Sequence, residues 1–189
     1  VSSHQILMIN KTAVIFGVSG QDGSLLAKLL LKKGYRVIGQ TRTLKNSNLL
    51  NLERLEIADS VEMVELKTFE VDSLMRFLEK NDPSEIYNLS GQSSIGLSFE
   101  MPNETLNSQL NFVNMLLEAV YKSNCKALLF NAGSGECFGD TSNGIATETT
   151  AFNPHNPYAV AKCGAFWTIR NYRRYYGISA VTGILFNHE

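Results

Sequence analysis

Short apolar runs alternate with longer amphipathic stretches along the whole chain. Thr12–Phe16 (TAVIF) is short and apolar and leads straight into glycines, the pattern of a buried strand. Beyond it, Leu25, Leu26, Leu29 and Leu30 recur at helical spacing within Ser24–Lys33, and Gly34 ends the helix. The alternation then repeats. Strands are predicted over Arg36–Gln40, Val61–Leu66, Glu85–Leu89, Lys126–Ala132 and Ser179–Leu185. Helices are predicted over Ser73–Lys80, Asn107–Ser123 and Tyr158–Tyr176. The middle one turns Leu110, Val113, Met115, Leu116 and Leu117 largely inward. Strand and helix alternating at this spacing require repeated right-handed crossovers. The expected fold is therefore α/β, a doubly wound parallel sheet with helices on both faces. Two polar, Gly/Asn-rich loops, Thr43–Asn51 and Gly139–Asn156, fall where such sheets bind ligands, at the carboxyl ends of strands.

Composition narrows the partners. A length of 189 residues suits one domain, and 44% hydrophobic with 19% charged residues is the balance of a soluble globular chain. A net charge of −1 offers no electrostatic case for nucleic acid or an acidic membrane. No stretch has the apolar length of a bilayer span, and Val1–Lys11 lacks the features of a secretory signal. Cys125, Cys137 and Cys163 are odd in number and lack metal-ligand spacing. They read as reduced thiols in a cytoplasmic protein, and no metal is expected.

The first candidate chemistry is a phosphate cradle. Gly17, Gly20 and Gly23 stand as GxxGxxG between the first strand and the first helix. One glycine permits the turn, one lets backbone approach a pyrophosphate, and one lets helix pack on strand, while the helix N-terminus offers free N–H groups. An NAD site needs an acid at the end of the second strand, for the ribose 2′-hydroxyl. No Asp or Glu lies between Tyr35 and Leu52. Arg42, with Lys45 nearby, is placed to pair with a 2′-phosphate instead, so NADP is the expected cofactor. The alternative for both cations is a solvated loop.

The second is a base. Tyr158 and Lys162 lie at i, i+4 on one helical face, where the ammonium is expected to lower the phenol pKa. Such a phenolate could take a proton from a sugar hydroxyl while hydride leaves the same carbon. Ser134, at the carboxyl end of the fifth strand, could hydrogen-bond that hydroxyl, and Glu136 adds a carboxylate beside it. Alone, each would pass for a surface or loop residue.

Five stretches carry a resemblance: residues 17–39 (GVSGQDGSLLAKLLLKKGYRVIG), 85–93 (EIYNLSGQS), 133–139 (GSGECFG), 153–162 (NPHNPYAVAK) and 183–189 (GILFNHE). Together they resemble the extended short-chain dehydrogenase/reductases and, within them, the GDP-mannose 4,6-dehydratase branch, for which GQDG and ILFNHE are the specific parts. The resemblance implies a Rossmann-like fold and a GDP-sugar substrate. It implies loss of water from the hexose through transient reduction of bound NADP. Ser134 would stand in place of the family's hydroxyl-binding Thr. Glu136 would act at C5 and C6, Tyr158 at O4, and Lys162 beneath the nicotinamide ribose. Cofactor contacts are implied from Gly17, Gly20, Gln21, Asp22 and Gly23, from Arg42, from Leu89, Ser90, Gly91, Gln92 and Ser93, and from His188. A homodimer or homotetramer is implied too. A 4-epimerase, a 4-keto reductase, a GDP-heptose dehydratase or an inactive dinucleotide-binding fragment remains an alternative.

Two departures stand out. Lys67 and Thr68 replace an Asp-Leu pair near the adenine, and Gly135 replaces a Ser or Asp, so Glu136 would serve as both base and acid. Family members are much longer. Residues 1–189 are therefore expected to be the NAD(P)-binding domain of a two-domain enzyme, able to bind cofactor but not to turn over. One side of the sheet is expected to expose apolar surface.

Overall fold

The computed structural model describes residues 11–45, 48–66, 70–142 and 144–188. Each apolar run becomes a strand: β1 (Thr12–Phe16), β2 (Arg36–Thr41), β3 (Glu62–Glu65), β4 (Glu85–Asn88), β5 (Leu128–Ala132) and β6 (Ala180–Gly183). All five pairings are parallel, in the order β3-β2-β1-β4-β5-β6. This is the doubly wound sheet that the alternation predicts. Its switch point lies between β1 and β4, which is where such sheets open a crevice at their carboxyl ends.

Alternation along the strands divides the core in two. Val14, Phe16, Ile38, Ile86 and Leu129 face α3 (Val71–Asn81), α6 (Phe112–Lys122) and α7 (Pro157–Tyr176) in the larger cluster. Ala13, Ile15 and Val37 face α1 (Gln21–Lys32) and α2 (Leu50–Arg54) in the smaller. On that second side no helix among the described residues covers β5 and β6, and Leu128 and Val181 stand exposed. No helix among the described residues is long and apolar enough to cross a membrane.

The face of α1 corrects the sequence reading. Leu25 and Leu29 are 52% and 48% exposed, whereas Gly23, Ser24, Ala27 and Leu30 are buried. The chain offers two apolar stripes at helical spacing, and the tight approach at Gly23 selects the one with small residues. A Cβ there would come within 2.1 Å of the Gly17 carbonyl oxygen. The region between β4 and α6 holds more structure than its pattern indicates. Here lie α4 (Ile95–Glu100), α5 (Pro102–Leu106) and a π-helical turn over Asn107–Asn111, so the single helix predicted from Asn107 is broken at its start. Lys67 and Thr68 lie outside the described residues.

Candidate active site

The carboxyl ends of β1, β4, β5 and β6 open onto one cavity of about 520 Å³. One wall is backbone. After Phe16 the chain turns through Gly17 (φ +86°), closes with Gly20 N–H donating to Gly17 O at 3.1 Å, and enters α1 with no side chain capping its N-terminus. The free N–H groups of that first turn therefore line the cavity, the arrangement that suits an anion. A Cβ at Gly17 would stand 2.7 Å from Leu89 O, so this turn and the β4 loop touch through backbone alone.

Leu89, Ser90, Gly91 and Ser93 continue the wall. Gly91 (φ +110°) leaves space filled by the buried Gln109 side chain, whose Nε2 donates to Gln92 O at 2.7 Å. Gln109 lines the cavity from the π-helical turn; no periodicity in the sequence marks it. Gln92 departs from expectation. Its amide turns away to donate to Thr105 Oγ1 at 3.2 Å, so it props the loop and does not line the cavity. Arg42 departs as well. It is exposed, one residue past β2, and outside the cavity wall.

The opposite wall carries functional groups. Ser134 caps a 3₁₀ turn over Gly135–Phe138, its hydroxyl accepting the Glu136 N–H at 3.2 Å. The Glu136 carboxylate accepts from Asn156 Nδ2 at 3.0 Å, and Asn156 caps α7 by accepting the Ala159 N–H at 2.7 Å. Tyr158 and Lys162 follow on the first turns of α7, 8% and 6% exposed. Ser134, Glu136, Tyr158 and Lys162 thus share one wall, as the sequence predicts. The pKa expectation fails. Burial raises the Tyr158 phenol above its ordinary 10.0, against a lowering hydrogen bond from Ser134. Lys162 is itself desolvated, which brings it down to about 8. Its ammonium donates to Ala132 O at 2.7 Å and lies 5.5 Å from the Tyr158 ring centroid. With half its charge lost near pH 8 and a carbonyl as its bonding partner, it cannot outweigh the phenol's desolvation.

Gly135 also gains a physical explanation. A Cβ there would lie 2.7 Å from the Phe186 ring, which occupies the space a Ser or Asp side chain would take and stacks on Phe138 at 6.1 Å. From the same segment His188 reaches back to α1. Nδ1 lies 2.7 Å from Phe186 O, and Nε2 lies 3.2 Å from both Asp22 oxygens. Both partners only accept, so the arrangement suits the doubly protonated ring, and the Phe186 carbonyl, then Asp22, raise its pKa above 6.5.

A doubly wound sheet with a glycine cradle facing Ser, Tyr and Lys side chains across one cavity defines an extended short-chain dehydrogenase/reductase. The profile of the family described as GDP-mannose 4,6 dehydratase matches residues 14–189, and the chain belongs to that family. GDP-mannose 4,6 dehydratase 1 of Arabidopsis thaliana is 40% identical over 97% of this chain and 54% of its own length. GDP-mannose 4,6-dehydratase of Vibrio cholerae serotype O1 is 40% identical over 96% and 51%. The chain therefore spans about half the length of the curated relatives it matches. Among solved structures, the UDP-glucose 4-epimerase of Brucella ovis in complex with NAD superposes with a TM-score of 0.82. It covers 94% of this chain and 52% of its own at 24% identity, a likeness of fold. The dTDP-glucose 4,6-dehydratase DesIV of Streptomyces venezuelae, with NAD and TYD bound, gives 0.79 over 90% and 54% at 21% identity.

Proposed function

We propose that this chain is the NADP-binding half of an enzyme that converts a GDP-hexose into a GDP-4-keto-6-deoxyhexose. The observation that carries the reading is the facing pair of walls: an uncapped helix start with no room for a Cβ at Gly17 or Gly23, opposite Ser134, Glu136, Tyr158 and Lys162. The residues present fit a dinucleotide. Gly17, Gly20, Gln21, Asp22 and Gly23 would hold the pyrophosphate, Leu89, Ser90, Gly91 and Ser93 the strip beyond it, and Lys162 the nicotinamide ribose, with His188 closing the cradle over Asp22. Absence of an acid between Tyr35 and Leu52 favours NADP, with Arg42 meeting the 2′-phosphate. NADP⁺, when bound, supplies reversible hydride acceptance.

The chain's own groups would do the rest. Ser134 hydrogen-bonds the substrate O4 and Tyr158 removes its proton as the C4–H bond gives up hydride. Burial raises the Tyr158 phenol, so its work as a base would rest on the hydrogen bond from Ser134, which lowers its pKa, and on the positive charge that a bound NADP⁺ would add beside it. The resulting 4-ketone acidifies C5–H. Glu136 takes that proton and returns one to the C6 hydroxyl as it leaves as water. The hydride would return to C6 from the bound cofactor, and the proton that Tyr158 took from O4 would go to C5, so that electrons and protons both balance and the reaction is redox-neutral.

Residues 1–189 form the cofactor-binding unit; the sugar is gripped by the remaining half of the enzyme, so this chain alone binds NADP(H) without turnover. A cytoplasmic homodimer or homotetramer fits the exposed apolar side chains Leu97, Phe99, Met101 and Trp167.

The test is product analysis in the longer enzyme that contains this domain, supplied with GDP-mannose. Glu136→Gln should accumulate reduced cofactor, seen as near-ultraviolet absorbance, with no 6-deoxy product. Tyr158→Phe should yield neither. Unimpaired 6-deoxy product from Glu136→Gln would make Glu136 only a loop residue and remove the assignment's main support, and no 6-deoxy product from the unmutated enzyme would favour an epimerase or reductase.

A further inference from the structure

One amide joins the two parts of the functional wall. Asn156 Oδ1 accepts the Ala159 N–H at 2.7 Å, and its Nδ2 donates to Glu136 Oε2 at 3.0 Å. The orientation of the amide is not arbitrary. An N–H donor requires the oxygen on the helix side, which leaves the NH₂ facing the carboxylate. The ground beneath it is fixed as well. Asn153 N–H donates to Cys137 O at 2.9 Å, so the segment before α7 is tied to the 3₁₀ turn that carries Glu136. Gly139 (φ +68°) makes that approach possible, since a Cβ there would fall 2.1 Å from Asn153 O. Pro157 then fixes the first helical position.

Ser, Thr, Asp and Asn all cap helices comparably. Only Asn offers an acceptor to the helix and a donor to a carboxylate at full amide reach. Asp would set a second carboxylate against Glu136, and a Ser hydroxyl stops one bond shorter. We propose that Asn156 is the positioning residue for Glu136, holding its Oε2 so that Oε1, which makes no hydrogen bond among the described residues, is presented to the substrate. The idea rests on the reading of Glu136 as the proton-transferring carboxylate. It adds that the donor aiming this carboxylate sits on the helix that carries Tyr158 and Lys162, so the three groups move as one body.

The test needs no turnover. Glutamate carrying ¹³C at Cδ is incorporated into the 189-residue protein, the Glu136 resonance is assigned by its loss in Glu136→Gln, and its titration midpoint is followed. Asn156→Asp should keep the helix cap, leave the thermal midpoint nearly unchanged, and raise the Glu136 midpoint by about one pH unit or more, as two carboxylates in contact must. Asn156→Ser, which keeps a cap but loses the donor, should displace the Glu136 ¹³C resonance at neutral pH from its unmutated position. Asn156→Ala should add a lower melting temperature through loss of the cap. A Glu136 midpoint in Asn156→Asp within about 0.2 units of the unmutated value, with cap and fold intact, would reduce Asn156 to a cap and overturn the proposal. Failure of the dehydratase reading would appear separately, as absence of 6-deoxy product from the unmutated longer enzyme supplied with GDP-mannose.

Discussion

The two walls of the cavity are built on opposite principles. The cradle from Gly17 to Gly23 works through backbone: what matters is that side chains are missing, so that the β1 turn, the β4 loop and α1 can touch. The wall from Ser134 to Lys162 works through side chains whose own bonds hold one another: Ser134 to the Glu136 N–H, Glu136 to Asn156, Asn156 to α7, Lys162 to Ala132 O. One wall is a shape and the other a set of functional groups. They should therefore fail in different ways when mutated.

The sharpest contrast is Gly23→Ala against Ser134→Ala. The alanine Cβ at position 23 would meet Gly17 O at 2.1 Å and Val18 Cα at 2.8 Å, and backbone cannot yield as a side-chain tip can. Gly23→Ala should cost at least about 3 kcal/mol in denaturant unfolding and abolish NADP(H) binding in calorimetry. Ser134→Ala should cost about 1 kcal/mol or less and retain binding. Equal stabilities would erase the distinction between the walls.

A smaller effect isolates the functional wall by pH. With Lys162 brought from 10.5 to about 8, the unfolded chain holds more protons than the folded one between those values, so this group makes stability rise with pH there. Below pH 8 the cost of burying the charge is constant. Tyr158, raised above 10.0, opposes the trend at the alkaline end. The clean measurement is thus the difference between the unmutated chain and Lys162→Met from pH 7.5 to 10. The unmutated chain should gain on the variant as pH rises, by on the order of 2 kcal/mol across the window. A flat difference would mean that Lys162 stays fully charged in place.

The smallest effect tests the edge of the cradle. NADP(H) should bind more tightly than NAD(H), and Arg42→Ala should shrink the gap by on the order of tenfold, the loss of one charge-assisted contact. Arg42 stands outside the cavity wall, so this contact depends on its exposed side chain swinging to the phosphate. Equal affinity for the two cofactors in the unmutated chain would remove Arg42 from the site.

The same contrast decides what the sequence makes legible. Strands and their order of chemistry show because burial on both faces writes continuous apolar runs, and the cradle shows because only glycine permits its contacts. Which stripe of α1 is inward does not show: Leu25 and Leu29 make a persuasive face, but the sheet takes Gly23, Ala27 and Leu30, because steric approach at the cradle outranks apolar area. Side-chain partnerships are less visible still. Tyr158 and Lys162 are plain at i, i+4. The direction of the phenol's pKa shift is not, since it depends first on how dry the wall is and then on Ser134, Cys137 and Glu136 around it. Asn156 stands just before Pro157 and could have been found as a helix cap, yet nothing local announces its other hand on Glu136.

The strand order has a consequence for the growing chain. β1 pairs with β2 on one side and with β4 on the other, and among the described strands it joins β3 and β2 to β4, β5 and β6. During synthesis, β2 and β3 can dock as soon as they emerge. The other edge of β1 stays bare until Glu85–Asn88 leaves the ribosome, and the tie from His188 to Asp22 waits until His188 has emerged. A bare, largely apolar strand edge is a template for pairing with the wrong neighbour. The nascent chain is therefore most open to mispairing between the appearance of its phosphate cradle and the arrival of β4.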